Sequence, residues 1–546
     1  MTTTKQKLEL TWIGKDKRPR LEPRIFLEDK SLSYQSAKVI TTEEGEANTA
    51  FNDNLLIHGD NLLALKALEH QYAGKVKCVY IDPPYNTGSA FAQYDDGLEH
   101  SLWLSLMKER LIILWSLLDP TQGSLWVSID DREMPYLRIL LDEICGRDKF
   151  IASNVWQKRY SRENRESIGD AHEYVIVYAK NKDIFKSVRN KLPLGDKQTK
   201  IYRNPNHDSR GLWRSVSLSA QGYRPNQMYE IVSPITGKVH TPPPGSCWKV
   251  IEPKFKQLLA DNRIYFGKDG NAVPARIQFL SEIEGMAPWT WWPHEDVGHT
   301  DEAKKEMHAL FTPENAFATP KPERLIERIL HIATNPNDLV LDSFAGSGTT
   351  GAVAHKMGRR WIMVELGEHC HTHIVPRLKK VMDGEDQGGI SKAVNWQGGG
   401  GFRYLRLAPS LLNKDDWGNW VINKEYNAEM LAEAMCKHMG FTYAPSQTQF
   451  WNHGYSTETD YIYVTTGSLA YDQLKRISEE VGAERSLLIC CKAFMAEGAE
   501  FPNLTLKKIP KVILNKCEWD HDDYSFTLNV LPEEQDDEWA DDDSEE

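Results

Sequence analysis

Apolar and polar positions follow a repeating rhythm over two stretches of this chain and lose it between them. Leu55–His58 is a short apolar run, Gly59-Asp60-Asn61 turns the chain, and Leu62, Leu65 and Leu68 then recur at helical spacing behind Asp60 as a cap. Val76–Ile81 is the next apolar run, so these residues predict strand, helix and strand in a right-handed parallel unit. Leu98–Leu118 reads as a long amphipathic helix, Ser124–Ile129 as a strand, Glu133–Cys145 as a helix and Tyr174–Ala179 as a strand. This alternation predicts an α/β sheet with helices on its faces. It stops near Asn181. From there to His299 the chain is rich in Pro, Gly, Trp and basic residues, with short β-like runs at Tyr229–Val232, Cys247–Ile251 and Arg263–Gly267 and a closing cluster, Trp289–His294. The rhythm resumes at Thr319-Pro320-Lys321-Pro322, ahead of a helix bearing Leu325, Ile329 and Ile332. A strand ending at Asp342, a glycine turn and the strand Arg360–Glu365 follow. Gln397–Gly401 marks a boundary, and Tyr461–Thr465, Leu469–Val481, Ser486–Cys491 and Leu504–Leu514 predict a small α/β domain. The expected division is an arm (1–50), a first α/β half (51–180), an insertion (181–299), a second α/β half (300–400), a C-terminal α/β interaction domain (401–532) and an acidic disordered tail (533–546).

Composition narrows this picture. A chain of 546 residues is too long for one core. With 40% apolar and 26% charged residues it is of the soluble globular class, and no apolar run approaches the ~20 residues of a membrane span. The first twenty residues are polar and basic, without the apolar core of a secretory signal, and the eight cysteines form no C-x-x-C pair. A cytoplasmic protein with reduced thiols is expected. The net charge of −13 argues against nucleic acid only superficially, because ten acids lie in Glu533–Glu546. The block Trp156–Arg214 instead holds fourteen Lys/Arg against seven Asp/Glu, interleaved with Tyr160, Tyr202 and Trp213, the pattern of a phosphate-binding face.

Two stretches carry chemistry. In Val79–Gly88 an apolar strand delivers Asp82, Pro83, Pro84 and Tyr85 to its end; an acid, a stiff backbone and an aromatic ring make a clamp for a flat polar ring. Phe91 and Tyr94, in the polar segment that follows, are further contact candidates. In Asp342–Thr350 a strand ends in Gly346 and Gly348 and opens a helix, which brings a ligand close to bare backbone. Glu365 ends the next strand, where an acid takes ribose hydroxyls in nucleoside-binding sheets. The G-x-x-x-x-G-K-[ST] spacing of a triphosphate loop is absent. His369 and His373 suggest a metal pair but lack further ligands in view, and Asp130-Asp131 reads as a turn and cap.

Asp82-Pro83-Pro84-Tyr85 and Phe344-Ala345-Gly346-Ser347-Gly348-Thr349 together resemble the S-adenosylmethionine-dependent, amino-methylating DNA methyltransferases. The order of the motifs, with an insertion between them, resembles the β-class; Asp82–Ser89 and Thr319–Ile329 resemble the Mod subunits of type III restriction-modification systems. The resemblance covers roughly residues 50–410 and implies a Rossmann-like methyltransferase sheet, circularly permuted, with the catalytic half before the cofactor half. It implies that a target base is flipped out of duplex DNA, that Tyr85 stacks on it, and that Asp82 and the Pro83 carbonyl accept the two N–H bonds of its exocyclic amine. Direct in-line methyl transfer follows without a covalent adduct, so no catalytic cysteine is expected. The resemblance assigns Asp342, Phe344, Gly346, Gly348 and Thr349 to the cofactor's amino-acid moiety and Glu365 to its ribose. Asp60 is either a cofactor contact or a plain helix cap, and Thr319 and Lys321 belong to a further cofactor motif. The insertion is the expected target-recognition region, with Arg203, Arg210, Arg214 and Arg224 as DNA contacts. Adenine-N6 methylation is favoured over cytosine-N4 methylation by the acid at position 82, and a non-catalytic DNA-specificity or scaffold subunit is the alternative of another class. Double-stranded DNA, a second copy of the chain and a helicase–nuclease restriction subunit are the expected partners.

Overall fold

The structure is a computed structural model that describes residues 8–38, 53–85, 96–161, 168–312, 317, 319–495 and 501–524. Asn86–Gly88, Phe91, Tyr94 and the acidic tail lie outside the described residues. The chain forms two compact units, one of Met1–Arg189 with Trp289–Glu546 and one of Asn190–Pro288.

The larger unit is built on an eleven-stranded sheet. Its order runs Phe26–Glu28, Gly401–Leu407, Asn54–His58, Arg360–Glu365, Leu339–Asp342, Cys78–Ile81, Ser124–Ile129, His172–Ala179, Phe150–Gln157 and Trp291–Trp292, with Tyr34–Gln35 beside Gly401–Leu407. The strands from Gly401–Leu407 through Ser124–Ile129 are parallel and nearly all apolar, as strands covered on both faces must be. Leu55, Ile57, Val79, Ile81, Leu125 and Val127 share one core with the helices Asn61–Tyr72, Asp96–Leu117 and Met134–Cys145. The helix Thr349–Lys356 covers the other face, where a Cβ on Gly351 would meet Met363 at 2.3 Å. Chain connections therefore reverse between Cys78–Ile81 and Leu339–Asp342, and an open α/β sheet offers its crevice at such a point.

The strand alternation breaks beyond Ser124–Ile129. His172–Ala179 pairs antiparallel with it, and Phe150–Gln157 pairs antiparallel with His172–Ala179. Phe150–Gln157 has no clean apolar period, because most of its positions are only half-buried near the sheet margin. Trp291–Trp292 then pairs parallel with Val155–Trp156, so part of the aromatic cluster forms a sheet edge. Trp292 is buried there, and Trp289 and Trp291 are exposed.

The arm is tied down in part. Trp12 donates through Nε1 to Ser105 Oγ at 2.8 Å, while Ile13 is exposed. Glu22 and Arg24 are buried against the backbone of Ala408–Leu411. The C-terminal region carries a five-stranded sheet (Thr442–Tyr443, Gly454–Tyr455, Asp460–Val464, Ser486–Cys491, Leu504–Lys508) with the helices Ala428–Met439 and Tyr471–Val481. All eight cysteines are free and buried. No helix among the described residues is long and apolar enough to cross a membrane.

The smaller unit packs Leu218, Ile231, Trp248, Phe255 and Phe266 into one small core and Trp213, Ile277 and Phe279 into another. Its largest sheet orders Ile264–Tyr265, Ala275–Phe279 and Trp213–Ser217.

Candidate active site

The register Val340↔Cys78 and Leu341↔Val79 makes Asp82 and Asp342 leave neighbouring parallel strands at the same end of the sheet. The two motifs, far apart in the chain, thereby become adjacent loops.

At the first loop, Tyr85 donates its hydroxyl to Asp82 Oδ1 at 2.7 Å and to Glu173 Oε2 at 3.0 Å. Lys321 Nζ donates to Asp82 Oδ2 at 2.8 Å and lies 3.5 Å from Glu173 Oε2. The same ammonium sits 5.0 Å from the Tyr85 ring centroid, within cation–π range. Trp103 Nε1 donates to the Pro84 carbonyl at 2.7 Å and pins the second proline; Pro83 is buried. Burial, then the Asp82 and Glu173 carboxylates, raise the Tyr85 phenol far above its usual range, so it is a neutral donor. Burial lowers the Lys321 ammonium, but Asp82 and Glu173 outweigh it and leave it raised and charged.

At the second loop, Asp342 is buried and takes Phe344 N at 2.9 Å on Oδ1 and Thr350 Oγ1 at 2.5 Å on Oδ2. Burial pushes its carboxyl up to about 7 despite these donors, with Asp82 and Glu365 adding to the rise. Gly346 and Gly348 have φ of 52° and 77°, the left-handed region, and a Cβ on Gly348 would meet Ile374 at 2.9 Å. Glu365 Oε2 accepts from Gly346 N at 2.8 Å, while Oε1 accepts from Leu366 N, Gly367 N and His369 Nε2. Burial opposes the Glu365 charge, but His369 and these amides hold its pKa low. Phe344 is half-buried against the core, and Thr349 Oγ1 accepts from Arg377 Nη1 at 2.8 Å.

The other expected residues fall in varied places. Asp60 is buried as the cap of Asn61–Tyr72, accepting from Leu63 N, Arg110 Nη2 and Tyr524 N. Beside it, Asn61 donates to the Ser343 carbonyl at 2.7 Å and so braces the second loop. Thr319 is exposed. In the smaller unit Arg203 and Arg224 are exposed. Arg210 is clamped by Asp208 and the Asp261 carbonyl, and Arg214 donates to Gln278 Oε1. Asp130 caps a turn through the Arg132 and Glu133 amides. His369 pairs with Glu365, while His373 lies against Phe311 and Phe317.

Three residues escape a reading of the sequence. Glu173 precedes an apolar run that says only strand. Phe317 comes within 3.7 Å of a Cβ built on Gly346 and 5.2 Å, ring to ring, of His369; its one signal is an aromatic two residues before Thr319. Arg377 is buried and joins the Ser347 carbonyl and Thr349 to Glu323, which Lys356 also binds. An arginine in a helix carries no such signal.

The sequence profile of a family described as DNA methylase matches residues 76–376. "Probable type III restriction-modification enzyme HindVI Mod subunit" of Haemophilus influenzae is 33% identical over 419 residues, covering 65% of this chain and 54% of that protein. The type III restriction-modification enzyme StyLTI Mod subunit of Salmonella typhimurium is 34% identical over 361 residues, covering 59% and 53%. The chain thus spans about half the length of these curated relatives. Among solved structures, a DNA modification methylase from Thermus thermophilus complexed with S-adenosyl-L-methionine superposes with a TM-score of 0.32 at 15% identity, covering 64% of this chain and 99% of that one.

Proposed function

The chain belongs to the DNA methylase family, and from that premise we propose that it transfers a methyl group from S-adenosylmethionine to the N6 amine of an adenine flipped out of duplex DNA. The observation that carries this reading is the adjacency of the Asp82–Tyr85 clamp and the Asp342–Thr349 loop on neighbouring parallel strand ends.

The residues of the second loop suit the cofactor. Two left-handed glycines keep side chains out of the cradle, and the acids Asp342 and Glu365 stand at its two ends. Asp342, Phe344, Gly346, Gly348 and Thr349 would hold the amino-acid end and Glu365 the ribose, with Thr319 beside them. When bound, the cofactor supplies an activated methyl group. The protein's work is positioning. Tyr85 offers its ring to the base, and Asp82 with the Pro83 carbonyl accepts the amine N–H bonds, turning the nitrogen lone pair outward. An ionised Asp82 strengthens those bonds as charge builds on the nitrogen, which lowers the barrier more than it tightens the ground state. Lys321 favours that ionised form. Displacement at the methyl carbon needs no enzyme nucleophile, in keeping with the buried thiols.

In this reading the order of the two halves is the circularly permuted one, the Asn190–Pro288 unit recognises the DNA target, and the chain serves in restriction-modification or phage defence. It acts in the cytoplasm as a homodimer, with a helicase–nuclease restriction subunit as a further partner. The names of the relatives, Mod subunits of type III enzymes, support that setting.

The test is incorporation of label from methyl-labelled S-adenosylmethionine into mixed-sequence duplex DNA. Wild type labels the DNA. Asp82→Ala binds DNA and cofactor with unchanged affinity but labels at least about a hundredfold more slowly, the scale of losing a transition-state acceptor. Equal labelling by both proteins would remove Asp82 from the chemistry, and no labelling by wild type would favour a DNA-specificity or scaffold subunit.

A further inference from the structure

Asp82 is engaged on both oxygens by the protein itself. Oδ1 takes the Tyr85 hydroxyl at 2.7 Å and Oδ2 takes the Lys321 ammonium at 2.8 Å. An incoming amine must therefore displace or share a donor already in place. A half-buried phenol pushed off its acceptor keeps its desolvation cost and loses its hydrogen bond. Glu173 supplies a second acceptor for the same pair. Its Oε2 lies 3.0 Å from the Tyr85 hydroxyl and 3.5 Å from Lys321 Nζ. It is only 8% exposed, and Lys158 Nζ, 3.4 Å from Oε1, holds its other side. Glu173 thus duplicates the two partners of Asp82 from a different strand, His172–Ala179.

We propose, on the methyl-transfer reading above, that Glu173 is a positioning residue that receives the Tyr85 hydroxyl when the target amine takes Asp82. Base binding then exchanges one acceptor for another and leaves no buried donor unpaired. No covalent bond changes in this hand-over; a hydroxyl already shared by two carboxylates shifts wholly to one. Lys321 stays between the acids and over the Tyr85 ring, so the ring keeps its plane while its hydroxyl changes partner. Because the relief applies equally to the bound base and to the transition state, it belongs in KM and not in kcat.

A double-mutant cycle on the full chain tests this, with KM for duplex DNA and kcat read for wild type, Glu173→Ala, Tyr85→Phe and the double variant. Calorimetric binding of S-adenosylmethionine to each protein serves as the check on folding. The expected result is that Glu173→Ala raises KM about tenfold to a hundredfold with kcat nearly unchanged, the cost of one orphaned donor. In the Tyr85→Phe background, where no hydroxyl needs receiving, the same change raises KM less than about twofold. Glu173→Gln, which keeps an acceptor, recovers most of the loss. A Glu173→Ala penalty of equal size with and without the hydroxyl, or one in kcat alone, overturns the hand-over while leaving methyl transfer intact. Failure of wild type to methylate DNA at all overturns the underlying reading and the hand-over with it.

Discussion

Asp342 shows how much a single buried carboxyl decides. Burial holds its pKa at about 7, against an ordinary 3.8, although Thr350 and the Phe344 amide both donate to it. Across that window the folded chain keeps a proton that the unfolded chain has released. Stability of the ligand-free protein therefore falls as pH rises from about 4 to about 7 and levels off above. A cationic cofactor favours the ionised form, so its affinity rises over the same window and its binding releases a proton. Asp342→Asn should flatten both profiles, measurable by urea titration and calorimetry from pH 5 to pH 8. At the clamp, Asp82 is legible as an acid at a strand end with prolines behind it. Glu173 is not, because it precedes an apolar run that any strand can have. Lys321 is legible as a cation near the cofactor motif, but only the fold brings it to Asp82. Chemistry-bearing residues that depend on a distant strand leave no local trace.

At the scale of elements, the glycine loop is held from below by buried charge. Arg377 binds the Ser347 carbonyl, Thr349 and Glu323, and Lys356 binds Glu323 and Asp386. Glu323 opens the helix that follows Lys321-Pro322, so the network links the lysine of the clamp to the loop of the cofactor. Removing one member strands the others without charge partners. Arg377→Met is expected to cost about 3–5 kcal/mol in urea unfolding and to weaken cofactor binding as well. Gly348→Ala meets both an unfavourable positive φ and Ile374 at 2.9 Å, and should lose about 1–2 kcal/mol together with measurable cofactor affinity. The strands and helices around these loops are readable because the parallel strands are uniformly apolar and the helices keep their period. Phe150–Gln157 is not, since a half-buried strand with mixed faces has neither signal. Asp60 is ambiguous in sequence for a related reason: a cap and a ligand acid look alike until burial and the amides of Leu63 and Tyr524 show where its oxygens are spent.

For the molecule as a whole, the net charge conceals its own distribution, and the smaller unit refines it further. Arg210 and Arg214 are committed to Asp208, Asp261 and Gln278, whereas Arg203 and Arg224 are exposed. Arg203→Ala and Arg224→Ala should each weaken DNA binding and lower the slope of log affinity against log salt by about 1. Arg210→Ala should instead destabilise the Asn190–Pro288 unit with little change in that slope. The division of labour between a catalytic half, a cofactor half and an insertion follows from where the α/β rhythm stops and resumes. Which arginines are exposed does not, because charge commitment is a property of the fold. The central claim is that the two loops meet to methylate the amine of an extruded adenine. It is tested most directly by digesting DNA methylated by the wild-type protein to nucleosides and identifying the modified one by mass spectrometry. The account predicts N6-methyl-2′-deoxyadenosine in wild-type reactions and its loss with Asp82→Ala. N4-methyl-2′-deoxycytidine as the product, or N6-methyladenine undiminished by Asp82→Ala, would contradict it.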